Sequence, residues 1–342
     1  MIFQQLFDPL SSTFTYVIAR RAGAEAIIID PVFEQVQTYL SLFERLNLRL
    51  VKAIDTHIHA DHVTGLGALR DHTRCITVMG EQSGADVVSM RVREGDVIGV
   101  DGLKLDVLYT PGHTDDSYSF VMADRVFTGD TLLIEGTGRT DFQNGDPLAA
   151  YDSIFNKLLR LKDETLVFPA HDYRGNTVST IASERARNPR LQVASAAEYA
   201  AIMDNLKLPN PKMMDVAVPA NRSIGLAQSQ WVAAQEMLRA EDAVASEGLV
   251  FVDLREPGER ARDGYLPGSV HLPYTRLEEV MGAGGALRAS LLTAPGATVL
   301  YCAFGERSAM ALERLREGGV LGLRHLVGGL AAWIKAGGEV ER

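Results

Sequence analysis

The chain has 342 residues, of which 46% are hydrophobic, and its 34 Lys and Arg against 44 Asp and Glu give a formal net charge of −10. This is an ordinary globular composition, and the length suggests two domains. An acidic chain repels phosphate backbones, which argues against a nucleic-acid partner, and no apolar run reaches the roughly 18 residues of a membrane-spanning helix.

The first half of the chain alternates short apolar runs with amphipathic stretches. Runs rich in β-branched residues predict strands at FTYVIA, AIIID, VKAID, LKLDVLY, YSFVMA and RVFTGD. Apolar residues recur every three or four positions over Glu34 to Leu46 and over Pro147 to Leu161, so both stretches are predicted helices. Strands with interposed helices predict a layered α/β domain.

A proline-rich stretch follows, from Asn188 to Gly225. Its prolines are Pro189, Pro209, Pro211 and Pro219. Because proline confines the backbone to extended or turn shapes, this stretch is predicted to be a linker and packing arm. The predicted domains are therefore residues 1–225, including the arm, and residues 226–342.

The second half of the chain also alternates predicted strands and helices. Helices are predicted at Trp231 to Leu238, at Ser308 to Arg316 and at LAAWIKAG, and strands at GLVFVDLR, ATVLYCA and LRHLVGG. This alternation predicts a small doubly wound α/β domain.

Metal-binding side chains cluster after the predicted strands. His57, His59, Asp61 and His62 lie within six residues directly after VKAID, and three more such residues each follow a later strand: His113, Asp130 and His171. In α/β sheets the loops after strand ends converge on one rim, where sites are built. The sequence therefore predicts a metal site, and the number of metals stays open because ligands for two are present.

The order HxHxDH, GH, GD and AH resembles the metallo-β-lactamase superfamily over roughly residues 1–180. The resemblance implies an αββα sandwich with the metal at one edge. Hydrolases of that superfamily hold two metals with all seven ligands, and the metal pair polarises a carbonyl and activates a bridging water.

Within that superfamily, GDTLLIEGTGRTDFQNG and AHDY resemble the persulfide dioxygenase branch more closely than glyoxalase II. This resemblance implies a single Fe(II) held by His57, His113 and Asp130. Such a face leaves three octahedral positions open, so that O₂ and a substrate sulfur can bind side by side. The remaining residues would then support the ligands or be vestigial: His59, Asp61, His62 and His171.

The same resemblance implies glutathione persulfide as the substrate, bound by Arg139 and Tyr173. A guanidinium suits a carboxylate of glutathione, and a tyrosine hydroxyl near the metal can bond the substrate sulfur or an oxygen. The alternatives are a salt bridge between Arg139 and Asp141 and a core position for Tyr173. Thr114, beside His113, is either a hydroxyl that supports the site or a plain loop residue.

Cys302 lies between the predicted strand ATVLY and a helix, where backbone N–H groups favour the thiolate. The run CAFGERS resembles the active loop of a rhodanese, as do the flanking segments over residues 230–342. The resemblance implies that Cys302 carries a persulfide and that Arg307 faces the anionic donor or braces the loop. Tyr265 and Phe304 depart from the usual pattern, and Phe304 leaves the sulfur donor open.

The combined hypothesis is a persulfide dioxygenase fused to a rhodanese. Its partners would be glutathione persulfide, O₂, thiosulfate and glutathione, with no nucleic acid and no membrane. The alternatives are a glyoxalase II-like zinc thioester hydrolase fused to a sulfur carrier, a non-enzymatic persulfide carrier and a regulatory rhodanese. Only two cysteines are present, Cys75 and Cys302, and the first residues lack a signal-peptide pattern, so we expect a cytoplasmic protein. Assembly into a homo-oligomer is left open.

Overall fold

The computed structural model describes residues 1–277 and 297–342, without the side chain of Gln230. The chain divides into two compact units. The first comprises Met1–Asp86 and Met90–Ile224, and the second comprises Val87–Ser89 and Gly225–Arg342. Each unit is described by itself below.

The first unit contains two six-stranded sheets. The first sheet has the order β1-β2-β3-β4-β5-β6, antiparallel up to β3 and parallel from β3 onward. Its strands are β1 (Ile2–Asp8), β2 (Thr13–Ala19), β3 (Glu25–Ile29), β4 (Arg49–Ile54), β5 (Ile76–Gly80) and β6 (Met90–Val92).

The second sheet has the order β14-β13-β10-β9-β8-β7, in which only the β10–β13 pair is parallel. Its strands are β7 (Val97–Val100), β8 (Leu103–Tyr109), β9 (Tyr118–Val121), β10 (Arg125–Gly129), β13 (Leu166–Pro169) and β14 (Ser179–Thr180). A two-stranded ribbon lies between β10 and β13 in sequence: β11 (Leu132–Leu133) and β12 (Gly136–Thr137).

Aromatic side chains pack the two sheets face to face. Tyr16 of the first sheet lies 5.0 Å from Phe127 of the second, and Phe3 lies 4.8 Å from Phe168, measured between ring centroids. These pairs bury large apolar surfaces and adopt tilted geometries that aromatic rings favour. The sheets therefore form the sandwich that the sequence predicts.

The first unit has six α-helices in its described residues. They are α1 (Val36–Arg45), α2 (Leu66–Thr73), α3 (Pro147–Asp152), α4 (Ile181–Arg187), α5 (Ala196–Asp204) and α6 (Met214–Arg222). Asp146 caps α3 by accepting from two backbone N–H groups, and Pro147 fits the first turn, where its missing N–H costs nothing. The helix continues as a π turn over Ser153–Lys157 and a 3₁₀ turn over Leu158–Arg160, so the predicted helix from Pro147 to Leu161 is confirmed.

The stretch from Asn188 to Gly225 is predicted to be a linker and packing arm; it packs on the first unit as predicted, but it is not a linker. Two helices, α5 and α6, lie in this stretch, and Tyr199 and Met203 are buried in the core that backs the second sheet. The prolines are misleading because Pro189 lies at the first turn of a 3₁₀ helix, where proline is tolerated. The stretch is an integral part of the first unit.

The second unit contains a five-stranded parallel sheet with the order β15-β19-β18-β16-β17. Its strands are β15 (Met237–Leu238), β16 (Val250–Asp253), β17 (Val270–His271), β18 (Thr298–Tyr301) and β19 (Arg324–Leu326). The described helices are α7 (Gln228–Trp231), α8 (Ala240–Val244), α9 (Pro257–Asp263), α10 (Glu306–Glu317) and α11 (Gly329–Lys335).

The helix predicted from Trp231 to Leu238 is wrong. α7 ends at Trp231, Val232 is extended, and Met237–Leu238 forms an edge strand paired with β19. A two-residue strand is too short to show a period-2 pattern, so the pairing with the sheet decides its conformation. In the described residues, no helix is long and apolar enough to cross a membrane.

Candidate metal centre and sulfur-transfer loop

The candidate metal centre lies where loops from both sheets of the first unit meet. β8, β10 and β13 run in the same direction, so their carboxyl ends share one edge. His57 follows β4, His113 follows β8 and Asp130 directly follows β10. One ligand atom from each of the three lies within 4.8 Å of the other two. The structure thus brings together the residues that the resemblance assigns to one metal.

Backbone contacts orient His113 toward the centre. Its Nδ1 lies 2.7 Å from the carbonyl oxygen of Arg139, so the ring donates there and directs the Nε2 lone pair inward. Nε2 lies 3.5 Å from Oδ2 of Asp130. Gly138 makes this approach feasible, because a Cβ at that position would lie 2.7 Å from Nδ1 of His113 and 2.2 Å from the carbonyl oxygen of Asp130.

The charges of the centre suit a metal ion. Burial, together with neighbouring His59 and His113, lowers the pKa of His57 well below its usual value, so this imidazole is neutral and able to ligate. Burial alone would raise the pKa of Asp130, but His171 outweighs it and holds that pKa low. Two imidazole nitrogens and one carboxylate are the donor set typical of non-haem Fe(II). These residues therefore fit an ion of that class.

A second group of ligand atoms adjoins the first. Atoms of His59, Asp61 and His62 lie within 4.8 Å of one another. His171 links the groups: its Nδ1 lies 2.6 Å from Asp130 Oδ1, and its Nε2 lies 2.8 Å from Asp61 Oδ2. Both of its nitrogens are therefore engaged by carboxylates. In the described part of the chain, the buried His59 Nδ1 and His62 Nε2 have no hydrogen-bond partner, which leaves donors for a second ion.

Asn221 of α6 holds the loop that carries these histidines. Its fully buried amide donates to the carbonyl oxygens of His59 and His62, each at 2.9 Å, and accepts from the N–H of Thr64 at 2.8 Å. The sequence reasoning missed this residue because it lies in the stretch interpreted as a linker. No local pattern marks an asparagine that acts across 157 to 162 positions of sequence.

A cavity of about 250 Å³ opens onto the metal centre. Its lining includes all three candidate ligands as well as Arg139, Tyr173 and His171. Arg174 and Arg190 also line it, and the sequence reasoning had not singled out either one. An arginine-lined cavity beside a metal suits an anionic substrate.

The guanidinium of Arg139 already has a partner. Nε and Nη2 lie 2.5 and 2.6 Å from the two carboxylate oxygens of Asp141, and Nη1 donates to the carbonyl oxygen of Pro209 at 2.6 Å. The salt bridge considered as an alternative is therefore present, although Arg139 still lines the cavity.

Tyr173 and Thr114 differ in position. Tyr173 is 71% exposed and stacks parallel to the ring of His171, with centroids 6.0 Å apart, so it is not a core aromatic. Thr114 is fully buried, and its hydroxyl lies 2.7 Å from that of Ser117. Thr114 is not among the described residues that line the cavity.

The second unit holds Cys302 between β18 and α10. The side chain is buried, and the N–H of Gly305 donates to its sulfur at 3.1 Å. Gly305 has a φ of +93°, which glycine adopts without strain. This strand–loop–helix arrangement presents a backbone N–H to the sulfur, the kind of contact that the sequence predicts.

Arg307 forms an ion pair with a residue of another helix. It is fully buried, and its guanidinium forms a bidentate pair with Glu259, with N–O distances of 2.5 and 2.7 Å. Of the two roles predicted for Arg307, the geometry matches bracing rather than contact with a donor. The prediction missed Glu259 because the partner lies on another helix, α9.

Comparison with known proteins places these two sites in families. Residues 8–171 match the metallo-beta-lactamase superfamily, and residues 233–336 match the rhodanese-like domain. The chain is 44% identical over 229 residues to "Persulfide dioxygenase ETHE1, mitochondrial" of Homo sapiens, which covers 66% of this chain and 89% of that protein. The chain belongs to the persulfide dioxygenase family. Its metallo-β-lactamase fold and its C-terminal rhodanese domain are thereby confirmed.

Two further proteins show how similar this chain is to other members of the superfamily. The crystal structure of ETHE1 from Myxococcus xanthus is 52% identical with a TM-score of 0.64, covering 66% of this chain and 100% of that one. A hydroxyacylglutathione hydrolase of Rhodopseudomonas palustris (strain BisA53) is 34% identical over 257 residues, 74% of this chain and 96% of that protein. The two ETHE1 relatives are thus more similar to this chain than the hydroxyacylglutathione hydrolase is.

Proposed function

We propose that the first unit oxidises glutathione persulfide with O₂ to sulfite and glutathione. The observation that carries this proposal is the group of two imidazoles and one carboxylate from His57, His113 and Asp130 beside the cavity. An Fe(II) ion in such a triad supplies O₂ activation and leaves positions for the substrate sulfur. One glutathione persulfide, one O₂ and one water would give one sulfite, one glutathione and two protons. The outer sulfur of the persulfide is oxidised in this reaction, and O₂ is reduced.

The residues around the triad are proposed to orient its carboxylate and to bind the substrate. His171 holds the carboxylate of Asp130 through Nδ1. Arg190 lines the cavity and bonds Thr137, and we propose that it and Arg139 attract the glutathione carboxylates. The exposed hydroxyl of Tyr173 is proposed to bond the substrate near the metal.

We further propose that the second unit transfers sulfane sulfur. The Cys302 thiolate would attack the outer sulfur of thiosulfate, so that the sulfur–sulfur bond breaks and sulfite leaves. A glutathione thiolate would then attack the outer sulfur of the Cys302 persulfide, giving glutathione persulfide and regenerating the thiolate. The support is the buried loop with its N–H donor to sulfur, together with the rhodanese match. Residues 1–225 and 226–342 are proposed as the two functional domains, in the cytoplasm.

Metal analysis of freshly purified protein, coupled to oxygen uptake with glutathione persulfide, tests the first activity. One iron per chain and uptake that depends on persulfide are expected. Bound zinc without oxygen uptake would refute the proposal.

A zinc thioester hydrolase is the second candidate. It is favoured by the second group of ligand atoms from His59, Asp61 and His62, and by the relationship to a hydroxyacylglutathione hydrolase. Two metals per chain and hydrolysis of an acyl-glutathione without O₂ would establish it instead.

A further inference from the structure

A chain of polar contacts in the second unit leads from the reactive sulfur to a buried histidine. Cys302 Sγ lies 3.9 Å from Ser308 Oγ, and Ser308 Oγ lies 3.1 Å from Nδ1 of His325. All three residues are buried. His325 comes from β19, whereas Cys302 directly follows β18 and Ser308 lies in the first turn of α10, so the contact to His325 is tertiary.

The hydroxyl of Ser308 has one proton and two neighbours on the loop that can accept it. It donates to the carbonyl oxygen of Gly305 at 3.0 Å, and the sulfur of Cys302 is the other acceptor in reach. An ionised sulfur strengthens the bond to itself, because hydrogen bonds to charged acceptors are about twice as strong as neutral ones. The direction of the third contact, to His325, therefore decides whether that proton is available to the sulfur.

The surroundings of His325 select one tautomer. Among the described residues its Nε2 is buried without a hydrogen-bond partner. A proton on Nε2 would leave a buried donor orphaned, which is rarer in proteins than an unpaired acceptor. The ring therefore carries its proton on Nδ1 and donates to Ser308. Burial lowers the pKa of His325 to about 4, so the ring is neutral near pH 7.

We propose that His325 is a positioning residue: by donating to the Ser308 oxygen, it keeps the Ser308 proton on the side of the loop, where an anionic sulfur of Cys302 competes for it with the carbonyl oxygen of Gly305. The inference rests on the proposed sulfur transfer for its biological role, since a thiolate and a persulfide are both anionic sulfur. Two bonds in series also polarise each other, which strengthens the one that reaches the sulfur.

The other charged groups near the loop are largely compensated. Arg307 interacts with Cys302 electrostatically, and its guanidinium is paired with Glu259, with Glu256 nearby. The carboxylate of Glu306 accepts from the N–H of Leu226. A substitution at His325 replaces none of these groups, and the comparison of two substitutions at that position isolates the serine–histidine contact.

The test measures the pKa of the Cys302 thiol from its ultraviolet thiolate absorbance, in a Cys75→Ala background that leaves one thiol. Ser308→Ala should raise this pKa by about one unit. His325→Asn and His325→Gln form the decisive pair, because the asparagine amide nitrogen can occupy the position of Nδ1 and that of glutamine reaches the position of Nε2. Asn should keep the wild-type pKa, and Gln should raise it by roughly half a unit.

Equal pKa values for the Asn and Gln variants would overturn the proposal, as would a Gln shift that persists unchanged when Ser308 is already alanine. If the Gln variant does not fold, nitrogen NMR of the wild-type ring decides the matter. A neutral ring protonated on Nδ1 is expected, and a proton on Nε2 refutes the assignment. Failure of wild-type thiosulfate-to-glutathione transfer would remove the proposed function while leaving these pKa values as they are.

Discussion

The two candidate sites of this chain are built in opposite ways. The metal centre gathers His57, His113 and Asp130 from loops that are separated by tens of residues, and both sheets contribute. The Cys302 loop is nearly contiguous, since the N–H that reaches the sulfur comes from Gly305. A site assembled from distant loops depends on the whole fold, whereas a contiguous loop depends on a strand end and a helix start.

The histidines of the two sites also differ in charge. His171 lies between two carboxylates, and although burial lowers its pKa, Asp130 and Asp61 raise it well above the usual value. Within residues 1–277 and 297–342, His325 has no carboxylate partner, and burial lowers its pKa. The histidine of the first site therefore belongs to a network of compensated charges, whereas the histidine of the second site is a neutral group.

The largest expected effect is that of Asp130→Ala, which should abolish the activity of the metal centre and leave that of Cys302 intact. Asp130→Ala removes the one carboxylate of the triad, so metal content and oxygen uptake with glutathione persulfide should both fall to background. Sulfur transfer by Cys302 should persist and serves as the folding control. Metal analysis of His59→Ala and His171→Ala completes the experiment, and a loss of metal as severe as that of Asp130→Ala would favour a paired site.

The reciprocal change is Cys302→Ser. A hydroxyl is too weak a nucleophile toward sulfur without a strong base, so transfer from thiosulfate should disappear. Oxygen uptake with preformed glutathione persulfide should stay near the wild-type rate, while uptake driven by thiosulfate plus glutathione should vanish. Cys75→Ser is the matched control, because Cys75 is buried with a pKa raised to about 12 and should be inert. A folded, iron-loaded Cys302→Ser protein that fails with preformed persulfide would show that the sites are not independent.

The contrast between the histidines predicts a pH dependence of stability in the second unit. The pKa of His325 is about 4 in the folded chain and 6.5 when unfolded, so between these values only the unfolded ring binds a proton. The free energy of unfolding should therefore fall by roughly 3 kcal/mol as the pH drops from 6.5 to 4. Urea titrations followed by tryptophan fluorescence report this unit, because Trp231 and Trp333 are the two tryptophans of the chain. The His325→Asn variant should lose much less unfolding free energy over this pH range. If the wild type and the variant show the same dependence on pH, His325 is not a buried neutral ring.

A moderate effect is expected at the cavity. Arg139→Ala should raise the KM for glutathione persulfide about 10- to 150-fold with iron still bound, since a charge-assisted hydrogen bond is worth roughly 1.5–3 kcal/mol. Asp141→Asn is the comparison, because it removes the salt bridge and keeps the guanidinium in place. Steady-state kinetics that are unchanged in Arg139→Ala would exclude this residue from substrate binding.

The smallest effect concerns the loop of the metal ligands. Asn221→Leu leaves two carbonyl groups and one N–H without partners, so we expect metal affinity to fall about 10- to 100-fold. Competition with a chelator measures this affinity. Asn205→Leu is the matched control, since that exposed side chain donates to the carbonyl oxygen of Ala201, at the end of the same helix. Equal affinities in the two variants would mean that Asn221 does not position the ligands.

The elements were predictable where local physics dominates. β-branched runs such as those of β2 and β3 form strands, and the apolar spacing over α1 and α3 forms helices. The linker part of the interpretation failed because proline content reports backbone restriction and not burial, whereas α5 and α6 both bury side chains in the first unit. The prediction also missed the edge strand β15, because two residues are too few to show an alternating pattern.

The sequence by itself determined the families, the layered folds and the residues capable of chemistry, because strand ends, ligand spacing and the cysteine loop are local features. Only the tertiary structure decided the distant partners: Glu259 for Arg307, Asn221 for the histidine loop and His325 for Ser308. The physical reason is that a hydrogen bond needs two groups within about 3 Å and in line. Such proximity between residues distant in sequence exists only once the chain has folded.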